Sequence, residues 1–177
     1  VTIPYKKDVV PYCSELSEAA RRAGCVNTIV RRADGTLFGD NTDLFGFERM
    51  LLSTGVDVRG RKALVFGSGG ASGTACEVLR QHGAQVVRIS RSGADNYTNL
   101  DRHADAQVLV NTTPLGMYPN NGVAPVDISD FPACALVLDV VYNPARTALL
   151  LQAEALGIPH ANGLEMLVAQ AVRSSER

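Results

Sequence analysis

The sequence lacks most features that mark membrane, nucleic-acid-binding and metal-dependent proteins. Its 177 residues include no tryptophan, three histidines and four cysteines, and the formal net charge is −1. No apolar run approaches the ~20 residues of a membrane-spanning helix. No block of Lys and Arg is present, whereas binding to a nucleic-acid backbone requires clustered positive charge. We therefore expect neither a membrane nor a nucleic acid as a partner.

The cysteines are too few and too scattered for a disulfide framework or a metal site. Cys13, Cys25, Cys76 and Cys134 form no Cys-x-x-Cys pair, and none has the Cys/His spacing of a zinc site. Reduced and mostly buried thiols are typical of intracellular proteins. The sequence thus predicts a cytoplasmic protein without a bound metal.

Residues 1–57 have a mixed pattern of short strands and helices. An Asp-Gly pair at 34–35 predicts a hairpin between strands at 26–31 and 36–39. We also predict a β-like stretch at 1–3, a helix at 14–23 capped by Ser14 or Ser17, and a second helix at 44–52.

From about residue 60 the pattern changes to strands that alternate with helices. Strands are predicted at 63–66, 86–89, 108–110 and 136–139, and helices at 73–82, 147–156 and 164–172. The strands are continuous apolar runs, as expected for parallel strands covered on both faces. The predicted fold is therefore α/β: a Rossmann-like doubly wound parallel sheet plus a smaller α/β domain.

A glycine-rich turn follows the first of these strands. Residues 67–73 read Gly-Ser-Gly-Gly-Ala-Ser-Gly, and a helical pattern follows. The usual third glycine of Gly-x-Gly-x-x-Gly is Ser72, so the spacing fits Gly-x-Gly-x-x-x-Gly better. Between a strand and a helix, such a turn brings backbone N–H groups close to a pyrophosphate. We predict that it binds a dinucleotide.

The end of the next strand indicates which dinucleotide. An NAD site places Asp or Glu there to bind the ribose 2′-hydroxyl, whereas an NADP site offers Arg to the 2′-phosphate. The strand ends in Ser90-Arg91-Ser92 without an acidic residue. A guanidinium binds phosphate through paired charge-assisted hydrogen bonds, so the sequence favours NADP.

A nicotinamide enzyme that reduces a carbonyl needs a proton donor, and no histidine is well placed for that role. His82 lies at the end of a predicted helix, and His103 lies in a charged loop. His160 comes just before Asn162-Gly163. Lys6 and Asp43 are the alternative candidates. Considered alone, Lys6 fits a surface charge, and the Asn41–Asp43 segment fits a helix cap.

Seven motifs together resemble the shikimate dehydrogenase family, in that family's order and over nearly the whole chain. They are Val-Thr-Ile-Pro-Tyr-Lys (1–6), Val-Asn-Thr (26–28), Gly-Asp-Asn-Thr-Asp (39–43), Gly-Ser-Gly-Gly-Ala (67–71), Asn-Thr-Thr-Pro-Leu-Gly-Met (111–117), Asp-Val-Val-Tyr-Asn-Pro (139–144) and Asn-Gly-Leu-Glu-Met-Leu-Val-Ala-Gln-Ala (162–171). The resemblance implies NADPH-dependent, reversible reduction of 3-dehydroshikimate to shikimate in aromatic amino-acid biosynthesis.

The resemblance also implies roles for individual residues. Lys6 matches the catalytic lysine, and Asp43 matches its partner. The implied substrate contacts are Thr2, Asn27, Asp43, Tyr142 and Gln170. The implied cofactor contacts are Glu18, Gly67, Ser68, Gly69, Gly70, Ala71, Ser90, Arg91, Ser92, Val140 and Gly163.

The family carries a further segment before the Val-Thr-Ile-Pro motif, including a Ser-x-Ser clamp for the substrate. The resemblance therefore implies a partial substrate domain at 1–57, an NADP domain at 58–160, and a C-terminal helix at 161–177 that returns to the substrate domain. It implies a monomer or a homodimer acting on a small molecule. A quinate/shikimate dehydrogenase of dual specificity and a truncated NADP-binding module without catalysis remain the alternatives.

Overall fold

The smaller of two β-sheets lies in the N-terminal part of the chain. In the computed structural model, which describes residues 1–2 and 4–177, this sheet contains β1 (Glu15–Leu16), β2 (Thr28–Arg31) and β3 (Leu37–Asp40). The order is β1-β3-β2, and β3 pairs parallel with β1 and antiparallel with β2. The predicted hairpin thus joins β2 to β3 through the turn at Asp34-Gly35.

Two predictions for the N-terminal segment need correction. The predicted helix at 14–23 is wrong at its start, because α1 spans only Glu18–Ala23, and Ser17 is its N-cap. The amides of Ser14 and Ser17 donate instead to backbone carbonyls of β3, each at 2.8 Å, so Glu15–Leu16 pairs as a strand. Of the predicted β-like stretch at 1–3, Val1 and Thr2 are in no strand, and Ile3 lies outside the described residues.

The larger sheet has five parallel strands in the order β5-β4-β6-β7-β8. The strands are β4 (Lys62–Phe66), β5 (Gln85–Ile89), β6 (Val108–Asn111), β7 (Leu136–Asp139) and β8 (His160–Asn162). The chain runs outward from β4 to β5 on one side and then continues from β6 on the other. The carboxyl ends of β4 and β6 therefore form the switch point of a doubly wound sheet, where such folds bind ligands.

Helices cover both faces of this sheet, as the continuous apolar strands predict. The helices are α2 (Asp43–Ser53), α3 (Gly70–Gln81), α4 (Ala148–Ala155) and α5 (Gly163–Ser175). Val65 packs with Phe47 and Leu79 on one face, while Phe66 packs with Leu149 on the other. The predicted α/β fold class is confirmed.

Helix α5 packs closely on α2. A Cβ placed on Gly46 of α2 would lie 2.6 Å from the backbone oxygen of Met166 in α5, so only glycine permits this approach. The connection between Ser53 and Lys62 contains the predicted boundary at 57–58, and the domain division itself stays a prediction. No helix in the described part of the chain is long and apolar enough to cross a membrane.

Sequence reasoning missed some elements of the larger sheet. β8 was not predicted because the strand has only three residues and is partly polar, and because its conformation depends on pairing with β7. Helix α3 begins three residues before the predicted start, because the glycine turn itself forms the first helical turn; the amide of Gly73 donates to the oxygen of Gly69 at 3.1 Å. Short 3₁₀ segments at Val10–Tyr12, Leu100–His103 and Ile128–Asp130 were also not predicted.

Candidate active site

Asp43 is positioned by a buried polar turn between β3 and α2. Asn41, Thr42 and Asp43 are each at most 6% exposed, so their polar atoms need partners within the protein. The side-chain oxygen of Asn41 accepts the amide of Asp43 at 3.0 Å, and its amide group donates to the backbone oxygen of Cys25 at 3.1 Å. These bonds fix Asp43 as the first residue of α2.

Lys6 and Asp43 form an ion pair at this turn. The Nζ atom of Lys6 lies 2.6 Å from Oδ2 of Asp43, and the two side chains are 23% and 9% exposed. The ammonium group is thus held by a nearly buried carboxylate while part of the lysine side chain still faces solvent. This arrangement brings a proton donor and an opposite charge together, as the resemblance implies.

Asn27 connects this ion pair to the C-terminal helix. Its Nδ2 atom donates to Oδ1 of Asp43 at 3.0 Å and lies 3.3 Å from Oε1 of Gln170 in α5. Its Oδ1 atom accepts the backbone amide of Thr42 at 3.0 Å. Lys6, Asn27, Asp43 and Gln170 therefore meet in one place, which we call the polar cluster.

Ser174 supports the polar cluster, and sequence reasoning missed it. Its hydroxyl lies 2.8 Å from Oγ1 of Thr28 and 2.9 Å from Oγ1 of Thr42. These contacts tie α5 to β2 and to the turn before α2. A single serine near the end of a helix carries no pattern that predicts such a contact.

The buried thiol beside the cluster is not an activated nucleophile. Burial raises the pKa of Cys25, and the nearby Asp43 carboxylate raises it further. All four cysteines are free. Within residues 1–2 and 4–177, no group of three or more His, Cys, Asp or Glu side chains has the geometry to hold a metal ion.

Thr2 and Tyr142 lie in exposed positions. The backbone oxygen of Thr2 accepts the amide of Tyr5 at 3.0 Å, which forms a turn before Lys6. Tyr142 is 49% exposed and lies in the loop between β7 and α4. Both side chains are accessible to a ligand, and their roles as substrate contacts stay predictions.

The glycine turn lies at the switch point of the larger sheet. Gly67 has a φ of 125°, and a Cβ there would lie 2.5 Å from Oγ1 of Thr112, which follows β6. Thr112 in turn donates to the oxygen of Phe66 at 2.6 Å. The first glycine is thus required by the close approach of the chain after β6.

The other glycines of this turn have a different explanation. A Cβ on Gly69, Gly70 or Gly73 would meet no atom within 4 Å in the part of the chain that the structure describes. Packing within this protein therefore does not require glycine at these positions, whereas a phosphate group approaching the backbone does. Ser68 is also exposed, and Ala71 is half-buried in the first turn of α3. The open glycine turn at a helix N-terminus fits a pyrophosphate.

Arg91 is exposed at the end of β5 and makes no ion pair among the residues that the structure describes. Ser90 and Ser92 flank it in a turn, in which the amide of Gly93 donates to the oxygen of Ser90 at 3.3 Å. A free guanidinium between two hydroxyls fits a phosphate group.

The loop after β7 meets the start of α5. The amide of Gly163 donates to the oxygen of Val141 at 3.1 Å, and a Cβ on Gly163 would overlap the backbone of Val140. Gly163 and Gln170 lie seven residues apart on one helix, so they share a face and are separated by about 10 Å along its axis. One helix thus connects the strand ends to the polar cluster.

Asp139 organises the loops at this edge of the sheet. It is fully buried, accepts the amide of Val141 at 3.0 Å and the side-chain amide of Asn111 at 3.0 Å, and accepts the hydroxyl of Thr147 at 2.7 Å. Burial raises the pKa of Asp139 to about 6. Sequence reasoning included Asp139 in a motif without giving it this role.

Glu18 is the one predicted cofactor residue that the structure leaves apart from these groups. It lies in the first turn of α1, its side chain is 79% exposed, and its carboxylate is 3.5 Å from Arg22. Among the described residues its one side-chain ion pair is with Arg22, and no hydrogen bond joins it to the glycine turn. Its role stays a prediction.

The fold and the site together define a class of protein. A doubly wound sheet with an open glycine turn and a free arginine at the end of the next strand is typical of dinucleotide-binding enzymes. A lysine–aspartate pair adds a proton donor, as an oxidoreductase that reduces a carbonyl requires. A family model described as "Shikimate dehydrogenase substrate binding domain" matches residues 1–29. Together with relatives that match nearly the whole chain, this match shows that the chain belongs to the shikimate dehydrogenase family.

Individual relatives establish that membership. An enzyme named shikimate dehydrogenase (NADP(+)) from Caldicellulosiruptor bescii is 37% identical to this chain, and the match covers 98% of the chain. The enzyme of the same name from Caldanaerobacter subterraneus is 35% identical, and that match covers 97%. The chain covers 67% and 68% of their lengths. The predicted family and enzyme class are confirmed.

Solved structures of relatives have the same fold. A chorismate mutase/shikimate 5-dehydrogenase fusion protein from Clostridium acetobutylicum has a TM-score of 0.92 and 37% identity, and the match covers 99% of this chain and 67% of that one. Shikimate 5-dehydrogenase from Thermus thermophilus in complex with NADP(H) and shikimate has a TM-score of 0.86 and 32% identity, over 99% of this chain and 70% of that one.

Proposed function

We propose that this protein catalyses the reversible, NADPH-dependent reduction of 3-dehydroshikimate to shikimate. The observation that carries the proposal is the polar cluster, in which Lys6 and Asp43 form an ion pair at 2.6 Å beside Asn27 and Gln170. Curated relatives are named NADP(+)-dependent shikimate dehydrogenases, which supports both the pathway and the cofactor.

Lys6 is the proton donor in this proposal. NADPH, when bound, would supply the hydride for the carbonyl carbon, and negative charge would then develop on the carbonyl oxygen. The Lys6 ammonium stabilises that charge and donates a proton to the oxygen. Asp43 orients the ammonium through the ion pair. In the reverse direction, the neutral amine of Lys6 accepts the proton from the substrate hydroxyl.

The other members of the cluster orient the ring of the substrate. Asn27 and Gln170 each present an amide, which both donates and accepts hydrogen bonds and therefore suits neighbouring ring hydroxyls. Thr2 and Tyr142 add exposed hydroxyls. Holding the ring by several hydroxyls places one carbon in reacting position, which is a large part of the rate enhancement in such reactions.

The cofactor is bound at the carboxyl ends of the strands. The open backbone at Gly67–Ala71 binds the pyrophosphate at the N-terminus of α3. Ser90, Arg91 and Ser92 bind the 2′-phosphate. Val140 and Gly163 meet where α5 begins and would contact the cofactor there.

A second candidate is oxidation of quinate. Quinate dehydrogenase from Corynebacterium glutamicum in complex with NAD has a TM-score of 0.89 and 31% identity to this chain. An exposed arginine at position 91 favours NADP over NAD. Comparing shikimate with quinate, and NADP⁺ with NAD⁺, separates the two functions.

The test is a spectrophotometric assay that follows NADP⁺ reduction with shikimate, then with quinate. We expect turnover with shikimate and NADP⁺ that exceeds every other pairing. Faster turnover with quinate, or with NAD⁺, would contradict the proposal. NADPH binding without turnover of either substrate would favour a cofactor-binding module. Three further points remain proposals. Limited proteolysis can test the division into domains, and light scattering can test whether the protein is a monomer or a homodimer. Cell fractionation can test the cytoplasmic location.

A further inference from the structure

The loop that presents Arg91 is closed by a network of short contacts. The amide of Ser90 donates to the oxygen of Asp95 at 3.2 Å, and a Cβ on Gly93 would lie 2.7 Å from Oγ of Ser90. Further along, the side chain of Asn96 donates to the oxygen of Gly93 at 3.2 Å. Residues 90–96 therefore form a tight turn, which we call the arginine turn.

His103 anchors the arginine turn from the interior. Its Nε2 atom lies 2.9 Å from Oδ1 of Asp95, and the two side chains are 11% and 40% exposed. A carboxylate only accepts hydrogen bonds, so Nε2 of His103 carries the proton in this contact. Asp95 thus bonds to His103 through its side chain and to Ser90 through its backbone, which links the buried histidine to the residue beside Arg91.

A second contact holds the same segment against the sheet. The ring of Tyr97 stacks on Phe66, the last residue of β4, with 6.1 Å between ring centroids. The Arg91 guanidinium lies close enough to Tyr97 to oppose the increase that burial causes in the pKa of that phenol. The segment that follows Arg91 is therefore held by two contacts, His103–Asp95 and Tyr97–Phe66, although the side chain of Arg91 is itself exposed.

We propose that His103 is a positioning residue for cofactor selection. Through Asp95 it holds the arginine turn in the conformation in which Arg91 and the two serines reach a 2′-phosphate. A turn ordered before binding does not lose conformational entropy on binding, so the phosphate is bound more tightly. This inference rests on the proposed function of Arg91 in binding NADP.

The test measures binding of 2′,5′-ADP and of 5′-AMP by calorimetry, since the two ligands differ only in the 2′-phosphate. We expect His103→Ala to raise the Kd for 2′,5′-ADP about tenfold, the scale of one charge-assisted hydrogen bond, and to change the Kd for 5′-AMP less than twofold. His103→Gln, which keeps an N–H donor, should restore most of the preference. Asp95→Ala should reproduce His103→Ala, and the double variant should be no worse.

Controls separate this inference from the proposal on which it rests. His82→Ala removes the matching pair with Glu48, also at 2.9 Å, and should leave both Kd values unchanged. If the unmodified protein does not prefer 2′,5′-ADP, or if Arg91→Ala keeps the preference, the NADP proposal fails. If Arg91→Ala abolishes the preference while His103→Ala and Asp95→Ala keep it, only the role of His103 fails. Asp95 lies at the surface. If Asp95→Ala weakens the binding of both ligands equally, that result would also overturn the role of His103.

Discussion

The glycine turn and the polar cluster are held in place by different kinds of contact. At the glycine turn the backbone makes the site: a strand ends, Gly67 passes close to Thr112, and α3 begins within three residues. In the polar cluster, side chains from distant parts of the chain make the site, and Asn27 contacts Gln170 across 143 positions. The glycine turn is one continuous segment of the chain, whereas the polar cluster depends on the packing of α5 on α2.

We expect this difference to determine how each site responds to substitution. A local backbone site loses its ligand when a side chain is added, while the fold tolerates the change. A cluster of distant side chains loses chemistry when one member is removed, while the cofactor still binds. Substitutions in one site that leave the other unaffected would confirm the comparison.

The largest expected effect is that of Lys6→Ala. Removing the proton donor should lower kcat by about 10²- to 10⁴-fold, the usual contribution of general acid catalysis. The Kd for NADPH should stay within error, because Lys6 belongs to the polar cluster and not to the glycine turn. Steady-state kinetics and fluorescence titration with NADPH measure the two quantities.

Lys7→Ala is the matched control, since Lys7 is the exposed neighbour. It should leave kcat unchanged. Near-normal turnover in Lys6→Ala, or an equal loss in both variants, would refute the role of Lys6.

The next effect is the pH dependence of stability that Asp139 contributes. Burial raises the pKa of Asp139 from 3.8 to about 6, so the folded state binds a proton more tightly than the unfolded state. The stabilisation from this proton is complete below pH 3.8 and is lost as pH rises through about 6. The difference is on the order of 3 kcal/mol.

Asp139→Asn should remove this dependence. The free energy of unfolding of the variant, relative to the unmodified protein, should increase between pH 3.8 and about 6, as measured by urea denaturation. Asp127→Asn is a control of opposite sign, because hydrogen bonds from Ser129 lower the pKa of that exposed carboxyl. A constant difference for Asp139→Asn across this range would argue against a raised pKa.

Arg91→Ala tests cofactor selection in the glycine-turn half of the molecule. Loss of a bidentate charge-assisted contact should raise the KM for NADPH about ten- to a hundredfold. The KM for NADH and the kcat with saturating NADPH should change little, since the 2′-phosphate lies far from the reacting carbon. Arg88→Ala, an exposed arginine in β5, is the control. A similar change with both cofactors would mean that Arg91 does not contact the 2′-phosphate.

The smallest effect comes from two glycines of the same turn. Gly67→Ala should lower the free energy of unfolding by about 1–3 kcal/mol, because its φ of 125° and its contact with Thr112 disfavour a side chain. Gly69→Ala, with a φ of −81° and open space around it, should leave stability unchanged and weaken NADPH binding. Thermal unfolding and cofactor titration measure these effects, and equal destabilisation by both variants would contradict the distinction.

The same difference explains what the sequence predicts. The sequence predicts four strands of the larger sheet because buried strands are continuous apolar runs. It predicts the glycine turn and Arg91 because each has a local pattern. Lys6 and Asp43 alone resemble a surface charge and a helix cap; only the ordered motifs of a family connect them. Ser174, β8 and the His103–Asp95 pair carry no local pattern, because their conformation depends on partners that the fold brings near.

The seven-residue interval from Gly163 to Gln170 has a further consequence. One inserted or deleted residue between them would rotate Gln170 by about 100° around the axis of α5. Gln170 would then leave Asn27, while Gly163 would stay against Val140. In the proposed function, the length of α5 between these two residues would therefore set the distance between the cofactor and the substrate ring. We expect the protein to tolerate substitutions in this part of α5 better than insertions or deletions.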